Sequence, residues 1–223
     1  MISHRGEHLH HPENTLAAYR AAFEAGADFI ETDVRTTADG KLVIMHDATV
    51  DRCTSGHGEV AALSFADIRK LGVPAFDEVL AWSRGRIGVY IDAKKISARN
   101  LADAVRRHGM RDRAVVYGGI ELLQEVAKLD DRIKVMPEAV SLSVVARIME
   151  ALHPRVVAFD ARDFTDEILA VVKRAGSGVY VDRLGASDNP EGWENAVIRG
   201  AAGIQSDHPA ELVAFLRAKG LHR

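Results

Sequence analysis

The sequence predicts an α/β fold, a closed (β/α)8 TIM barrel carried by a single domain over residues 1–223. Three observations lead to it. Short β-branched runs alternate with longer amphipathic segments as far as the C-terminus, the pattern of a parallel sheet covered by helices. Several of the runs are apolar almost throughout, as strands buried on both faces are. The runs that can lie parallel number eight, which favours closure. A doubly wound open sheet is the fold-level alternative, because the length is near the low end for a barrel.

The opening segment ending at His4 is the first strand. A helical pattern follows at Leu16, Tyr19 and Phe23, with Asn14 or Thr15 able to cap it, Pro12 setting the entry and Gly26 the exit. "DFIETDV" is the second strand, and Asp39-Gly40 turns it into a hairpin whose return arm is "LVIMH". Residues 47–74 break the rhythm with Gly56, Gly58, scattered polar residues and a short helix-like patch from Ser64 to Leu71. They are expected to form a small insertion after the second strand, lying over one barrel mouth. The remaining strands are "IGVYID", "AVVYG", "RIKVMP", "RVVAFD", "GVYVD" and "AGIQSD". Helical spacing is visible between most of them, as at Leu101, Val105 and His108, at Leu123 and Val126, at Val145 and Ile148, and at Leu169 and Val172.

Composition narrows the function. Hydrophobic residues make up 47% and charged residues 27%, and no apolar run approaches the ~20 residues of a membrane helix, so no stable membrane insertion is expected. The formal net charge of -3 offers no footprint for nucleic acid, so an anionic small molecule must be met by local positive groups or a cation. Cys53 is the single cysteine, which excludes internal disulfides. No signal peptide precedes the first chemistry-bearing residues, and a cytoplasmic location is expected unless a leader has been removed. The sequence sets no oligomeric state.

The unusual polar residues fall at strand ends, where barrels of this kind place their catalytic groups. His4 and Arg5 end the first strand, Glu31 and Asp33 the second, His46 and Asp47 the hairpin arm, and Asp92 and Lys94 the strand after it. Residues two apart on a strand share a face, so Glu31 points with Asp33 and Asp92 with Lys94. Carboxylates crowded into a partly buried site take up protons unless a cation keeps them charged. All-oxygen ligation favours a hard divalent ion, Mg²⁺ or Ca²⁺. The competing expectation is an ordinary charge network with Arg5, Arg35 and Lys94. His4 and His46 fit an acid-base pair, one ring activating a nucleophile and the other protonating a leaving oxygen. Together with Arg5 and Lys94 they describe phosphoryl chemistry.

"HRG" followed by "PENT", then "ETD", "HD" and "DRCTSGHGEV", resembles the glycerophosphodiester phosphodiesterase family, and the likeness continues through "VPAFDEVL", "YIDAK" and "GIQSDHP". The resemblance implies a barrel of the phospholipase C-like phosphodiesterase type, a small insertion after "HD", and a divalent-metal enzyme of lipid metabolism that hydrolyses a small phosphodiester to glycerol 3-phosphate and an alcohol. It also implies Glu31, Asp33 and Asp92 as metal ligands, His4 and His46 as the acid-base pair, and Arg5 and Lys94 as substrate contacts. The chain departs from the family at Asp92, where glutamate is usual, and at "VYVDRLG", where Asp182 and Arg183 replace an aromatic wall.

Rival readings have their own signatures. His8-x-His10 could begin a zinc site, although "IKVMPE" and "VVAFD" add no further histidine. His8, His10 and His11 are otherwise exposed loop residues, and Glu138 and Asp160 shape the pocket or support the fold. The alternative functions are a phospholipase D-like lyase giving a cyclic phosphate, and a non-catalytic barrel that binds a phosphorylated ligand.

Overall fold

The structure is a computed structural model describing residues 1–222. Strands β1 (Ile2–Ser3), β2 (Phe29–Thr36), β4 (Gly88–Ala93), β5 (Ala114–Tyr117), β6 (Lys134–Met136), β7 (Val156–Phe159), β8 (Gly178–Asp182) and β9 (Gly203–Ser206) pair in parallel in the order β6-β5-β4-β2-β1-β9-β8-β7. The two ends of that order meet. Ala158 N–H donates to Pro137 O at 2.9 Å and Ala139 N–H to Ala158 O at 2.8 Å, so the residues just past β6 close the barrel onto the C-terminal half of β7. This closure excludes the open doubly wound sheet. Strand β3 (Leu42–Ile44) lies antiparallel on β2, as the Asp39-Gly40 turn predicts.

Alternation along the strands divides the apolar residues between two cores. Ile2, Tyr90, Val115, Met136 and Ala158 fill the barrel together with Phe29 and Tyr180. Ile30, Ile91, Val116, Phe159 and Val181 face outward into a larger core shared with the helices. Gly88 belongs to this packing, because a Cβ there would lie 2.3 Å from the Phe29 ring that occupies the barrel floor.

The helices are α1 (Leu16–Glu24), α2 (Phe65–Lys70), α3 (Phe76–Ser83), α4 (Ala98–Arg107), α5 (Ile120–Leu129), α6 (Leu142–Leu152), α7 (Asp166–Arg174), α8 (Pro190–Ile198) and α9 (Pro209–Ala218). Two of them, α3 and α8, carry no clear helical signature in the sequence. Helix α3 has only 8 residues, and α8 carries Gly192 in its first turn, which weakens the helical signal. Tertiary burial supplies what propensity lacks: Phe76, Val79 and Leu80 of α3 are buried, as are Trp193 and Ala196 of α8. Between β3 and α3, residues 47–74 enclose a small apolar cluster of their own, Val50, Val60, Ile68 and Val73, packed onto Val43 and Met45 beside the hairpin.

The loop after β1 is held against α1 by a tight contact. Gly6 has φ +81°, and a Cβ on it would fall 2.7 Å from the backbone carbon and the Cβ of Ala18, while Glu7 N–H donates to Ala18 O at 3.0 Å. Both the left-handed backbone and the missing Cβ are therefore required. Gly6→Ala should lose roughly 2 to 4 kcal/mol of stability, from φ strain plus overpacking. Urea unfolding checks this, and a wild-type midpoint would contradict it.

Candidate active site

Toward the C-terminal end of the barrel each of the eight parallel strands delivers a polar side chain. His4, Asp92, Tyr117, Glu138, Asp160, Asp182 and Asp207 stand near or just past a strand end, and Asp33 stands level with Asp92 on β2, which runs on to Thr36 in its hairpin. Their placement follows from register: Asp33 is the parallel partner of Asp92, and Asp92 of Tyr117.

Glu31, Asp33 and Asp92 converge, each with an oxygen within 4.8 Å of the other two. Glu31 and Asp33 are 3% and 1% exposed, so water screens them little. Asp33 accepts Asn14 Nδ2 at 2.8 Å and pairs with Lys94 Nζ at 2.9 Å, and Asp92 accepts the same Nζ at 2.5 Å. Glu31 accepts the Arg5 backbone N–H at 2.9 Å. Burial holds the Glu31 carboxyl well above the usual carboxylate range, and the charges of Asp33 and Asp92 push the same way. Burial also raises Asp92, against the pull of Lys94. Desolvation would lower Lys94, but Asp33 and Asp92 reverse that into a net rise, so the ammonium stays charged.

The expected charge network is thus present in part. Lys94 bridges Asp33 and Asp92, and Arg5 lies 3.2 Å from Glu13 and 3.5 Å from Asp33. Arg35 is not in it, since both its Nε and Nη2 donate to the carbonyl of His46, at 3.0 and 2.6 Å. Lys94 does not compensate Glu31 in the same way, for it stands at ion-pair distance from the other two carboxylates. An all-oxygen, half-compensated trio fits a hard divalent cation.

The two histidines share one arrangement. His4 Nδ1 lies 2.7 Å from Asp207 Oδ1, and His46 Nδ1 lies 2.7 Å from Asp47 Oδ1. An ionised carboxylate only accepts, so each Nδ1 carries the proton and each Nε2 is left to exchange one. Burial would raise Asp207, but the hydrogen bond with His4 and the nearby His4, His8 and Arg5 together outweigh this and lower it. Asp207 is itself fixed by its backbone N–H donating to Asp188 Oδ2 at 2.6 Å, and the buried Asp188 also accepts Ser206 Oγ and Trp193 Nε1, each at 2.7 Å. Arg52 hydrogen bonds hold Asp47 far below the ordinary carboxylate range, with His46 adding to the effect. Arg52 also reaches Glu13 at 2.7 Å, tying the segment after β3 to the loop after β1. His46 is near enough to Asp92 for its charge to be felt there.

Sequence reasoning missed three contributors. Thr15 is the cap of α1, accepting Ala18 N–H at 3.2 Å, and this frees Asn14 for another task. Asn14, buried with φ +59°, takes Tyr19 OH on its Oδ1 at 2.9 Å and donates to Asp33, while its N–H donates to Arg5 O at 2.9 Å. The positive φ has no signature beyond asparagine's tolerance of it. Asp207 lay in "GIQSDHP" with no visible partner, and Arg52 belongs to the insertion expected over the mouth, where its pairing with Asp47 and Glu13 leaves no trace in the sequence. His8 and His10 do not converge as a zinc pair: His8 Nδ1 is 2.8 Å from His4 O, and His10 Nδ1 is 2.8 Å from Glu7 Oε1.

Across the mouth, the acidic side is poorly compensated. Burial pushes Asp182 up to about 7, and Glu138, Asp160, Asp92 and Asp207 add repulsion. Arg183 turns away, donating to Asn195 Oδ1 at 2.7 Å with its guanidinium 5.1 Å from the Phe164 ring centre. A carboxyl raised in the folded state binds more protons folded than unfolded, so its stabilising contribution is present at acid pH and fades as pH rises from about 4 to about 7. In metal-free protein Asp182→Asn should raise stability at pH 8 by roughly 1 to 3 kcal/mol and change little at pH 4. Thermal melts at the two pH values check this, and an equal effect at both would contradict it.

Comparisons with known proteins assign the family and the fold. Residues 4–174 match the glycerophosphoryl diester phosphodiesterase family. A glycerophosphodiester phosphodiesterase of Caldanaerobacter subterraneus subsp. tengcongensis is 30% identical, covering 99% of this chain and 98% of that protein. The crystal structure of a glycerophosphodiester phosphodiesterase from Agrobacterium tumefaciens superposes with TM-score 0.85 at 28% identity, over 96% of this chain and 98% of that one. An Oleispira antarctica phosphodiesterase shares the fold at TM-score 0.88 and 20% identity, over 97% and 96% of the two chains. No helix among the described residues is long and apolar enough to cross a membrane. The chain belongs to the glycerophosphoryl diester phosphodiesterase family, a family of phosphoric diester hydrolases.

Proposed function

We propose that the protein hydrolyses a glycerophosphodiester to glycerol 3-phosphate and an alcohol, with Glu31, Asp33 and Asp92 holding a divalent ion, Mg²⁺ or Ca²⁺, and His4 and His46 exchanging protons. The observation that carries this reading is the pair of matched carboxylate-imidazole couples, His4 with Asp207 and His46 with Asp47, at a mouth that also gathers three carboxylates. A divalent ion at those carboxylates would supply Lewis-acid stabilisation of the phosphoryl oxygens and hold Glu31 ionised.

Arg5 and Lys94 are the phosphate contacts in this reading. Arg5 Nε is buried without a hydrogen bond, and its ion-pair contact with Asp33 Oδ2 is long, 3.5 Å, so the donor can turn to an anion. Lys94 keeps its charge among the carboxylates and can turn to an incoming phosphate oxygen through its flexible stem. One imidazole takes the proton of the attacking water at Nε2, and the other delivers a proton to the departing alcohol oxygen. Asp207 and Asp47 hold each ring in the required tautomer and stabilise the imidazolium as it forms. Residues 47–74 belong to the same domain and cover one side of the mouth, joined to the β1 loop through Arg52 and Glu13.

His4→Ala and His46→Ala should each lower turnover of glycerophosphodiesters by roughly 10² to 10⁴-fold while leaving divalent-ion affinity within a few-fold of wild type. Steady-state kinetics and calorimetric ion titration measure the two. Retained turnover in both variants would end the assignment. Chelation with EDTA should abolish activity, and Mg²⁺ or Ca²⁺ should restore it. Activity that persists without metal would contradict the ligand set. Because burial and the neighbouring carboxylates raise the Glu31 carboxyl well above the usual range, ion binding should release protons, and affinity should rise with pH. Calorimetry in buffers of different ionisation enthalpy reads that release, and a buffer-independent enthalpy would count against it.

A further inference from the structure

A second cluster at the mouth has different chemistry. One ligand atom each of His4, His8 and Asp207 lies within 4.8 Å of the other two, and their side chains are 16%, 20% and 24% exposed, open to an entering ion. Asp207 Oδ1 is the atom both rings approach, 2.7 Å from His4 Nδ1 and 3.4 Å from His8 Nε2. The orientation of His8 is set from behind. Its Nδ1 lies 2.8 Å from His4 O and 3.3 Å from Gly6 O, and carbonyl oxygens only accept, so Nδ1 carries the proton. Neutral His8 therefore presents a lone pair at Nε2, aimed at a carboxylate oxygen. Two acceptors facing each other are favourable only with a proton or a metal ion between them. Its donor set also differs from the carboxylate trio: two imidazoles and one carboxylate with an open fourth position suit a borderline transition metal, whereas three oxygens suit a hard one.

We propose that His4, His8 and Asp207 bind a transition-metal ion of the Zn²⁺ type at a site separate from the carboxylate trio, and that its occupation switches off the acid-base work of His4. If His4 Nδ1 becomes the ligand, the ring proton moves to Nε2 and the lone pair that takes a substrate proton is lost. If Nε2 is the ligand, the proton-exchanging atom itself is occupied. The binding step stands on the cluster geometry, while the inhibition rests on the phosphodiesterase reading above.

The test is a Zn²⁺ titration of the full chain kept in saturating Mg²⁺, read three ways: zinc affinity by competition with a chromophoric chelator, the zinc coordination shell by X-ray absorption, and phosphodiesterase rate. Wild type should take up one Zn²⁺ with nitrogen in its shell and lose activity in step. His8→Gln should weaken zinc binding about tenfold or more and shift inhibition by the same factor, a loss at least as large as removing an outer-shell partner gives. Asp207→Asn should weaken zinc binding similarly, which keeps the test intact if the first variant folds poorly. His10→Gln should keep wild-type affinity, since that exposed ring pairs with Glu7. An all-oxygen shell, undiminished affinity in both His8→Gln and Asp207→Asn, or a loss confined to His10→Gln would overturn the proposal. Failure of wild type to cleave phosphodiesters before any zinc is added would sink the functional reading and leave the affinity and absorption arms to decide the site.

Discussion

Mutual repulsion among Glu31, Asp33 and Asp92 is the constraint on which the rest of the mouth depends. Three carboxyl groups within 4.8 Å of one another, two of them almost wholly buried, cannot all be ionised without compensating charge. Within the chain that compensation is partial: Lys94 serves Asp33 and Asp92, Arg5 adds a long 3.5 Å contact to Asp33 and offers Glu31 only its backbone N–H, and burial raises the Glu31 carboxyl. A purely structural ion-pair cluster would be expected to balance its charges. Residual acidity held rigidly at a barrel mouth is better suited to recruiting a cation.

Rigidity comes from the way the first loop is built. Gly6 lies flat on α1, and Arg5 and Asn14 both adopt positive φ while Asn14 N–H closes the loop onto Arg5 O. Asn14 then reaches Asp33, and Tyr19 locks Asn14 from the helix while also contacting Thr32 Oγ1 at 2.7 Å. The loop bearing His4 and Arg5, the first turn of α1 and the acidic strand β2 thus move as one body. Strain at two non-glycine residues, of order 1 to 3 kcal/mol each, is offset by this buried network. On the other side, Arg52 ties Asp47 to Glu13, so both imidazoles are referenced to the same loop.

Much of the barrel was readable in the sequence because strand burial leaves a direct trace. Runs such as "IGVYID" and "RVVAFD" are apolar on both faces, one facing Tyr90 and Ala158 into the barrel, the other facing Ile91 and Phe159 into the helices. Helices α3 and α8 were not, since a short element and one with glycine in its first turn depend on tertiary packing for their stability. For the mouth, period-two alternation was enough to bring Glu31 to Asp33 and Asp92 to Lys94. What local pattern could not reveal were partners joined across the closed barrel. Asp207 meets His4 across 203 residues, because β9 lies beside β1. Asn14 hid behind a second candidate cap, and the direction of His8 depended on the fold of a loop rather than on spacing.

Whether the carboxylate trio takes a hard cation is read by diffraction at an absorption edge from crystals grown with Mn²⁺ in place of Mg²⁺. One anomalous peak is expected, at roughly 2.0 to 2.5 Å from oxygens of Glu31, Asp33 and Asp92 together. A peak elsewhere, or an empty trio still bridged by Lys94 at saturating Mn²⁺, would contradict it.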